Sequence, residues 1–109
     1  MIIKKPSVFI YTIQPDNRIL KEICAGIEEE GVFYELSEFE NGTLDELAWN
    51  AANDSIPGSG VGIIGNDIAR QMRGIPKSRQ IESYHLPSRE QSRKLGANSA
   101  RAVKKQPFK

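Results

Sequence analysis

One cysteine, Cys24, and one histidine, His85, stand in a chain of 109 residues. A lone cysteine excludes an internal disulfide and a multi-cysteine zinc site, and the two residues together leave little nucleophilic or metal-ligating equipment. Such cysteine usage fits a reducing compartment, so a cytoplasmic chain is expected. No apolar run approaches the ~20 residues that span a bilayer, and no membrane is expected as a partner. The opening MIIKKPSVFIYTIQPDN carries a short apolar run without an A-x-A-like cleavage site and does not read as a signal peptide. Repeats and low-complexity tracts are absent. Hydrophobic residues at 39% and charged residues at 27% make the chain too apolar for disorder and too polar for a membrane protein. The length fits one domain, 1–109, able to bury a core without staples.

The net charge of +1 conceals a split. Residues 1–57 hold eleven acids against four bases; residues 58–109 hold three acids (Asp67, Glu82, Glu90) against eleven bases. Two readings stand side by side: the halves neutralise each other across one small domain, or two oppositely charged faces meet different partners.

Alternating strand and helix signals follow. Ser7–Tyr11 is short, apolar and β-prone. Asp16 or Asn17 caps a helix running to about Glu30, with Leu20, Ile23, Cys24 and Ile27 as its buried stripe. Gly31 stands where a left-handed helix end is wanted. Phe33–Phe39 alternates as a second strand, and Asn41-Gly42 turns. Thr43 with Glu46 forms a capping box for a helix that buries Leu44, Leu47, Ala48 and Ala51 and ends near Asp54. Val61–Ile64 is apolar on both faces and reads as a central strand. A short strand or a turn is expected near Ile68–Met72, then a strand over Gln80–Leu86. Ser88 opens a last helix to about Lys105, with Leu95, Ala102 and Val103 inward. The pattern gives an α/β domain of two or three layers, with three helices and a mainly parallel sheet of about four strands.

Chemical motifs are sparse. Gly60-Val61-Gly62-Ile63-Ile64-Gly65 matches G-x-G-x-x-G, but the glycines fall inside the strand rather than in a strand-to-helix turn, so close packing explains them better than a dinucleotide. Cys24 lies on a helix stripe as a small hydrophobe and His85 near a strand end, which disfavours a catalytic pair. Trp49 belongs at the edge of its helix's apolar stripe. The basic residues of the second half lack interleaved aromatics, which argues against nucleic acid. Glu28-Glu29-Glu30 is the most informative feature. Carboxylates at a helix C-terminus are disfavoured by about 0.3–1 kcal/mol each, and no base stands three or four residues on. Either the patch is merely solvated, or it faces a basic partner surface or a hard cation.

Gly26-Ile27-Glu28-Glu29-Glu30-Gly31-Val32-Phe33 resembles the G-[IL]-E-E-[EQ]-G-[IV]-P segment of the small subunits of diol and glycerol dehydratase-reactivating factors. The resemblance continues through Ala48-Trp49-Asn50-Ala51-Ala52, Ser55 and Val61-Gly62-Ile63. It closes with Leu95-Gly96-Ala97-Asn98-Ser99-Ala100-Arg101 and Val103-Lys104 before Pro107-Phe108. Phe33 departs from the family's Pro, and Lys77-Ser78-Arg79 is more basic than usual there. The resemblance implies a non-catalytic subunit, similar in fold to the dehydratase medium (β) subunit. It implies a large, actin-like ATPase partner in a complex of two large and two small subunits. Such a complex releases damaged cobalamin from an inactivated dehydratase, using ATP and Mg²⁺, so that adenosylcobalamin rebinds. No cofactor is expected in this chain, which also lacks a D-x-H-x-x-G cobalamin motif. Glu29 is implied to reach a metal bound by the large subunit, with Glu28 and Glu30 beside it at the interface. Cytoplasmic residence, with or without a microcompartment, goes with this reading. Two other readings are a medium-subunit-like component of the dehydratase itself and a nucleic-acid-binding α/β module.

Overall fold

The computed structural model describes residues 5–105. The first four residues, and the Pro107-Phe108 pair of the resemblance, lie outside the described residues. Eight elements follow in order: β1 (Ser7–Ile13), α1 (Asn17–Glu29), β2 (Phe33–Glu38), α2 (Leu44–Asp54), β3 (Ser59–Ile64), β4 (Asp67–Met72), β5 (Glu82–His85) and α3 (Arg89–Lys104).

The strands form one sheet in the order β2-β1-β3-β4-β5. β1 pairs in parallel with β2 and β3, whereas β3–β4 and β4–β5 are antiparallel. The α/β class and the three helices agree with the sequence reading. The sheet has five strands rather than about four, and it is mixed rather than mainly parallel. The added strand is β4, joined to β3 by a tight turn in which Gly65 has φ +55°. Asp-Ile-Ala-Arg-Gln-Met does not look like a buried strand, yet Arg70 and Gln71 are both buried. Each has a local partner: Arg70 Nε donates to Glu82 on β5 at 2.6 Å. Gln71 Nε2 donates to the carbonyls of Pro76 and Arg79 at 3.1 and 3.0 Å, which ties down the following loop.

The sheet separates two apolar clusters, so the domain has three layers. Val8, Ile10, Val61, Ile63 and Ile68 pack under α1 and α3 with Ile19, Ile23, Ile27, Leu95 and Ala100. On the other face, Tyr11 packs with Leu47 and Ala51 of α2, flanked by Phe9, Ile13 and Ile64. The α1 stripe is rotated from expectation: Ile19 and Gly26 are buried, while Leu20 and Cys24 are only partly so. On α3 the buried face runs from Ser92 to Ala100, leaving Ala102 and Val103 half-buried.

Backbone-to-backbone approach fixes the α2 layer. A Cβ at Gly62 would sit 2.8 Å from the Ala48 nitrogen, and one at Gly60 would run into Ala51 and Ala52. Those two glycines therefore seat α2 on the central strand, which is the packing role read from the sequence. The helix caps also agree with expectation. Asp16 accepts from Arg18 N and Ile19 N, and both Thr43/Glu46 and Ser88/Gln91 form capping boxes.

Candidate functional site

The Glu28–Glu30 segment closes α1 and turns the chain into β2. Gly31 adopts φ +74°, its N–H donates to Glu28 O at 2.9 Å, and Val32 N donates to Ile27 O at 3.4 Å. This is a left-handed helix end of the kind that demands glycine. It fixes where the three carboxylates project.

They do not project together. Glu28 is exposed and accepts from the Tyr34 hydroxyl at 3.3 Å. Glu29 is more than half exposed and pairs with Arg93 of α3. Glu30 is largely covered, 3.1 Å from Lys104 Nζ and 3.4 Å from Arg101 Nη2. Lys104 Nζ also donates to the Glu30 carbonyl at 2.7 Å, placing a cation against the negative end of the helix. One turn pair further back, Glu22 meets Arg93 at 2.7 Å and Arg89 at 3.1 Å. The Arg93 hydrogen bond, with help from Arg89, holds the Glu22 carboxyl below its usual range, and the same contact holds Arg93 above its own.

The acidic run thus meets bases of its own chain. Local sequence offered none, because the partners lie 64 to 74 residues away on α3. Arg89, Arg93, Arg101 and Lys104 spend their charge on α1, and Arg70 spends its charge on Glu82. Arg73 donates to the carbonyls of Asn53 and Ile56 at 3.0 and 3.2 Å, capping the end of α2. Mutual neutralisation across one domain accounts for much of the charge split. Sequence reasoning missed Arg93 and Lys104 as partners of Glu29 and Glu30, since side-chain pairing at this range has no local signal.

The remaining candidates separate. Cys24 sits beside Tyr34: burial pushes its thiol up, and the shared hydrogen bond pushes the Tyr34 hydroxyl up to about 12. His85 lies at the far edge of the sheet, its Nδ1 2.5 Å from Asp67. A Cys24–His85 pair is therefore not assembled. Trp49 is half-buried at the edge of α2 with Lys77 Nζ 4.9 Å from its ring centroid. Among the described residues no group of three or more His, Cys, Asp or Glu side chains could hold a metal ion. No helix among them is long and apolar enough to cross a membrane.

Below the Glu cluster, the domain exposes apolar surface. Phe33, Leu36 and Phe39 of the β2 region are 54%, 46% and 41% exposed, and Ile56, near Phe33, is 61% exposed. Carboxylates on a helix end are thus followed by exposed aromatics on an edge strand.

The family model for dehydratase medium subunits matches residues 5–109, and the chain belongs to that family. Within it, the resemblance is to the small subunits of reactivating factors. The chain is 29% identical over 105 residues to the diol dehydratase-reactivating factor small subunit of Klebsiella michiganensis, covering 95% of this chain and 84% of that one. It is 30% identical over 106 residues to the propanediol dehydratase-reactivating factor small subunit of Salmonella typhimurium, covering 95% and 90%. Among solved structures, a chain of diol dehydratase-reactivating factor complexed with ADP and Mg²⁺ superposes with a TM-score of 0.90 at 27% identity, over 97% of this chain and 99% of that one. A chain of glycerol dehydratase reactivase superposes with a TM-score of 0.89 at 28% identity, over 95% and 96%.

Proposed function

We propose that this chain is the non-catalytic small subunit of a reactivating factor for diol or glycerol dehydratase. The observation that carries the reading is end-to-end correspondence, in sequence and in fold, with chains of that factor. A large ATPase subunit is its partner, in a complex of two large and two small subunits. ATP or ADP and Mg²⁺ reside with the large subunit. The complex frees damaged cobalamin from the inactivated dehydratase, and adenosylcobalamin then rebinds. Exchange of this chain against the dehydratase's own medium subunit drives that release. Shared family membership supports the exchange, since two chains of one fold compete for one surface. The complex works in the cytoplasm, either free or within a microcompartment.

Glu29 contributes one carboxylate to the divalent cation of the large subunit, with Glu28 and Glu30 at the same interface. A single carboxylate from a partner chain can replace one of the waters that a Mg²⁺ ion keeps. Glu29 is suited to that part. It is exposed, and its partner Arg93 remains paired with Glu22 when Glu29 turns away. Giving up an exposed ion pair costs about 0–1 kcal/mol.

The test is reconstitution. The tagged chain is co-expressed with the large ATPase subunit, purified, and added to inactivated dehydratase with ATP, Mg²⁺ and adenosylcobalamin. Activity should return only when both subunits are present. Stoichiometric cobalamin binding by the isolated chain would overturn the reading. So would co-purification with the dehydratase but not with the ATPase, which would instead make the chain a component of that enzyme.

A further inference from the structure

The two edges of the sheet are treated differently. β5 has four residues, is followed by Leu86 at φ +48°, and ends against Pro87. Such an edge is guarded against pairing. β2 has six residues, Phe-Tyr-Glu-Leu-Ser-Glu, with neither proline nor lysine to guard it. Phe39 N donates to Thr12 O at 2.7 Å, and the register pairs Thr12 with Glu38. Backbone groups alternate along a strand, so Phe33, Glu35 and Ser37 bond inward to β1. Tyr34, Leu36 and Glu38 then present their N–H and C=O groups outward, as a ladder left open among the described residues.

The side chains around this ladder are apolar and acidic. α2 packs over β1, β3 and β4, leaving Phe33 uncovered on that face beside Phe9 and Ile56. Leu36 is exposed on the other face. Glu35, Glu38 and Glu40 are all exposed, with Asp54 near Phe33, while among the described residues Lys5 is the base lining the patch, 4.5 Å from the Phe33 ring centroid. Pairing of this edge with a second copy would bring the same carboxylates together. Complementarity calls instead for a basic strand. Glu28 lines one depression with Phe33 and Tyr34 at the start of this edge, so the edge continues the surface proposed above for the large subunit.

We infer that β2 takes a sixth strand from the large subunit: an extended segment with apolar side chains opposite Phe33 and Leu36 and basic side chains opposite Glu35 and Glu38, so that each of its faces carries both kinds. Backbone bonds to Leu36 and Glu38 give the affinity, Phe33 and Leu36 supply apolar contact, and the carboxylates select the charge. The inference rests on the proposed function for the identity of the partner.

The experiment uses the full chain and the large subunit, by hydrogen exchange and by titration. In the free chain the amides of Leu36 and Glu38 should exchange fast, and those of Glu35 and Ser37 slowly. In the complex, Leu36 and Glu38 should become protected. Leu36→Pro removes an outward N–H that β1 does not use, so β2 should stay folded while affinity for the large subunit falls about tenfold or more. If the native chain assembles but Leu36 and Glu38 stay unprotected, the strand addition is wrong and the proposed function stands. If Leu36→Pro unfolds, the exchange result alone decides. Failure of the native chain to bind the large subunit overturns both. A dimer of the isolated chain that Leu36→Pro dissociates overturns the basic partner strand in favour of a second copy.

Discussion

Gly26 and Gly96 are the points at which α1 and α3 touch backbone to backbone. A Cβ on Gly26 would stand 2.9 Å from Ala97 N and would strike the Arg93 carbonyl, and a Cβ on Gly96 would strike the carbonyl of Ile23. Neither obstacle is a side-chain tip that can swing away. Gly96→Ala should therefore lose about 1–3 kcal/mol by urea denaturation, although alanine is favoured over glycine in a helix by about 1 kcal/mol. Ala100→Leu, at a fully buried position, should lose a similar amount for the same reason. An unchanged midpoint in either variant would mean the helices stand further apart.

Glu82 gathers the other side of the core. Its carboxylate accepts from Arg70 Nε at 2.6 Å, from Asn98 Nδ2 at 3.0 Å and from the Tyr84 hydroxyl at 3.0 Å, joining β4, β5 and α3. Glu82→Ala should cost about 3–5 kcal/mol, because the buried Arg70 charge then loses its counter-charge. The double change Arg70→Met with Glu82→Leu should recover most of that loss, since apolar replacement of a buried pair is often neutral or better. Thermal or urea unfolding of the two variants decides the matter. Equal losses would place the stabilising role elsewhere.

Stability should fall in acid. Burial works to raise the Glu82 carboxyl, but hydrogen bonds from Arg70 and Asn98 outweigh it and hold the group below 4.5. Glu22 is held below 4.5 chiefly by Arg93. Groups depressed in the folded state stabilise it fully above their unfolded value, and that contribution is lost as pH drops through the folded value. The denaturation midpoint should thus hold from neutrality to just above 4.5 and decline below it. Glu82→Gln should flatten the decline. A midpoint that rises on acidification would contradict the assignment.

Glu29→Gln should leave the isolated chain folded, with a loss within about 1 kcal/mol for an exposed pair. In the complex it should weaken Mg²⁺-dependent assembly more than Glu28→Gln does. Glu30→Gln should act differently, loosening the Lys104 and Arg101 contacts of the free chain as well. Subunit affinity with and without Mg²⁺ separates the cases. Equal losses for Glu28→Gln and Glu29→Gln would make the cluster a diffuse acidic patch.

Local grammar made much of this fold legible. Thr43 with Glu46, Asp16 and Gly31 all act within a few residues of themselves, so pattern and outcome coincide. Gly60 and Gly62 were legible as packing residues because they interrupt no strand signal. β4 was obscured because its burial depends on partners outside it: Arg70 needs Glu82, and Gln71 needs the carbonyls of the next loop. The site was half legible. The Glu run stood out as a locally unfavourable choice, but Arg93, Arg101 and Lys104, which answer it, belong to the last helix. The β2 edge gave no sequence sign of being unguarded, since an alternating strand looks the same at an edge and in the middle of a sheet.

The α1–α3 contact joins residues 64 to 74 positions apart, so it sets an order of events during synthesis. Ile19, Ile23 and Ile27 leave the ribosome long before Leu95 and Ala100 can cover them. The nascent chain therefore carries an incompletely covered helix stripe until α3 has been translated. Closure of that stripe must come late, after the local β3–β4 hairpin has had time to form. The interval is one in which holding chaperones find an apolar target on this chain, and the arrival of the last helix ends it.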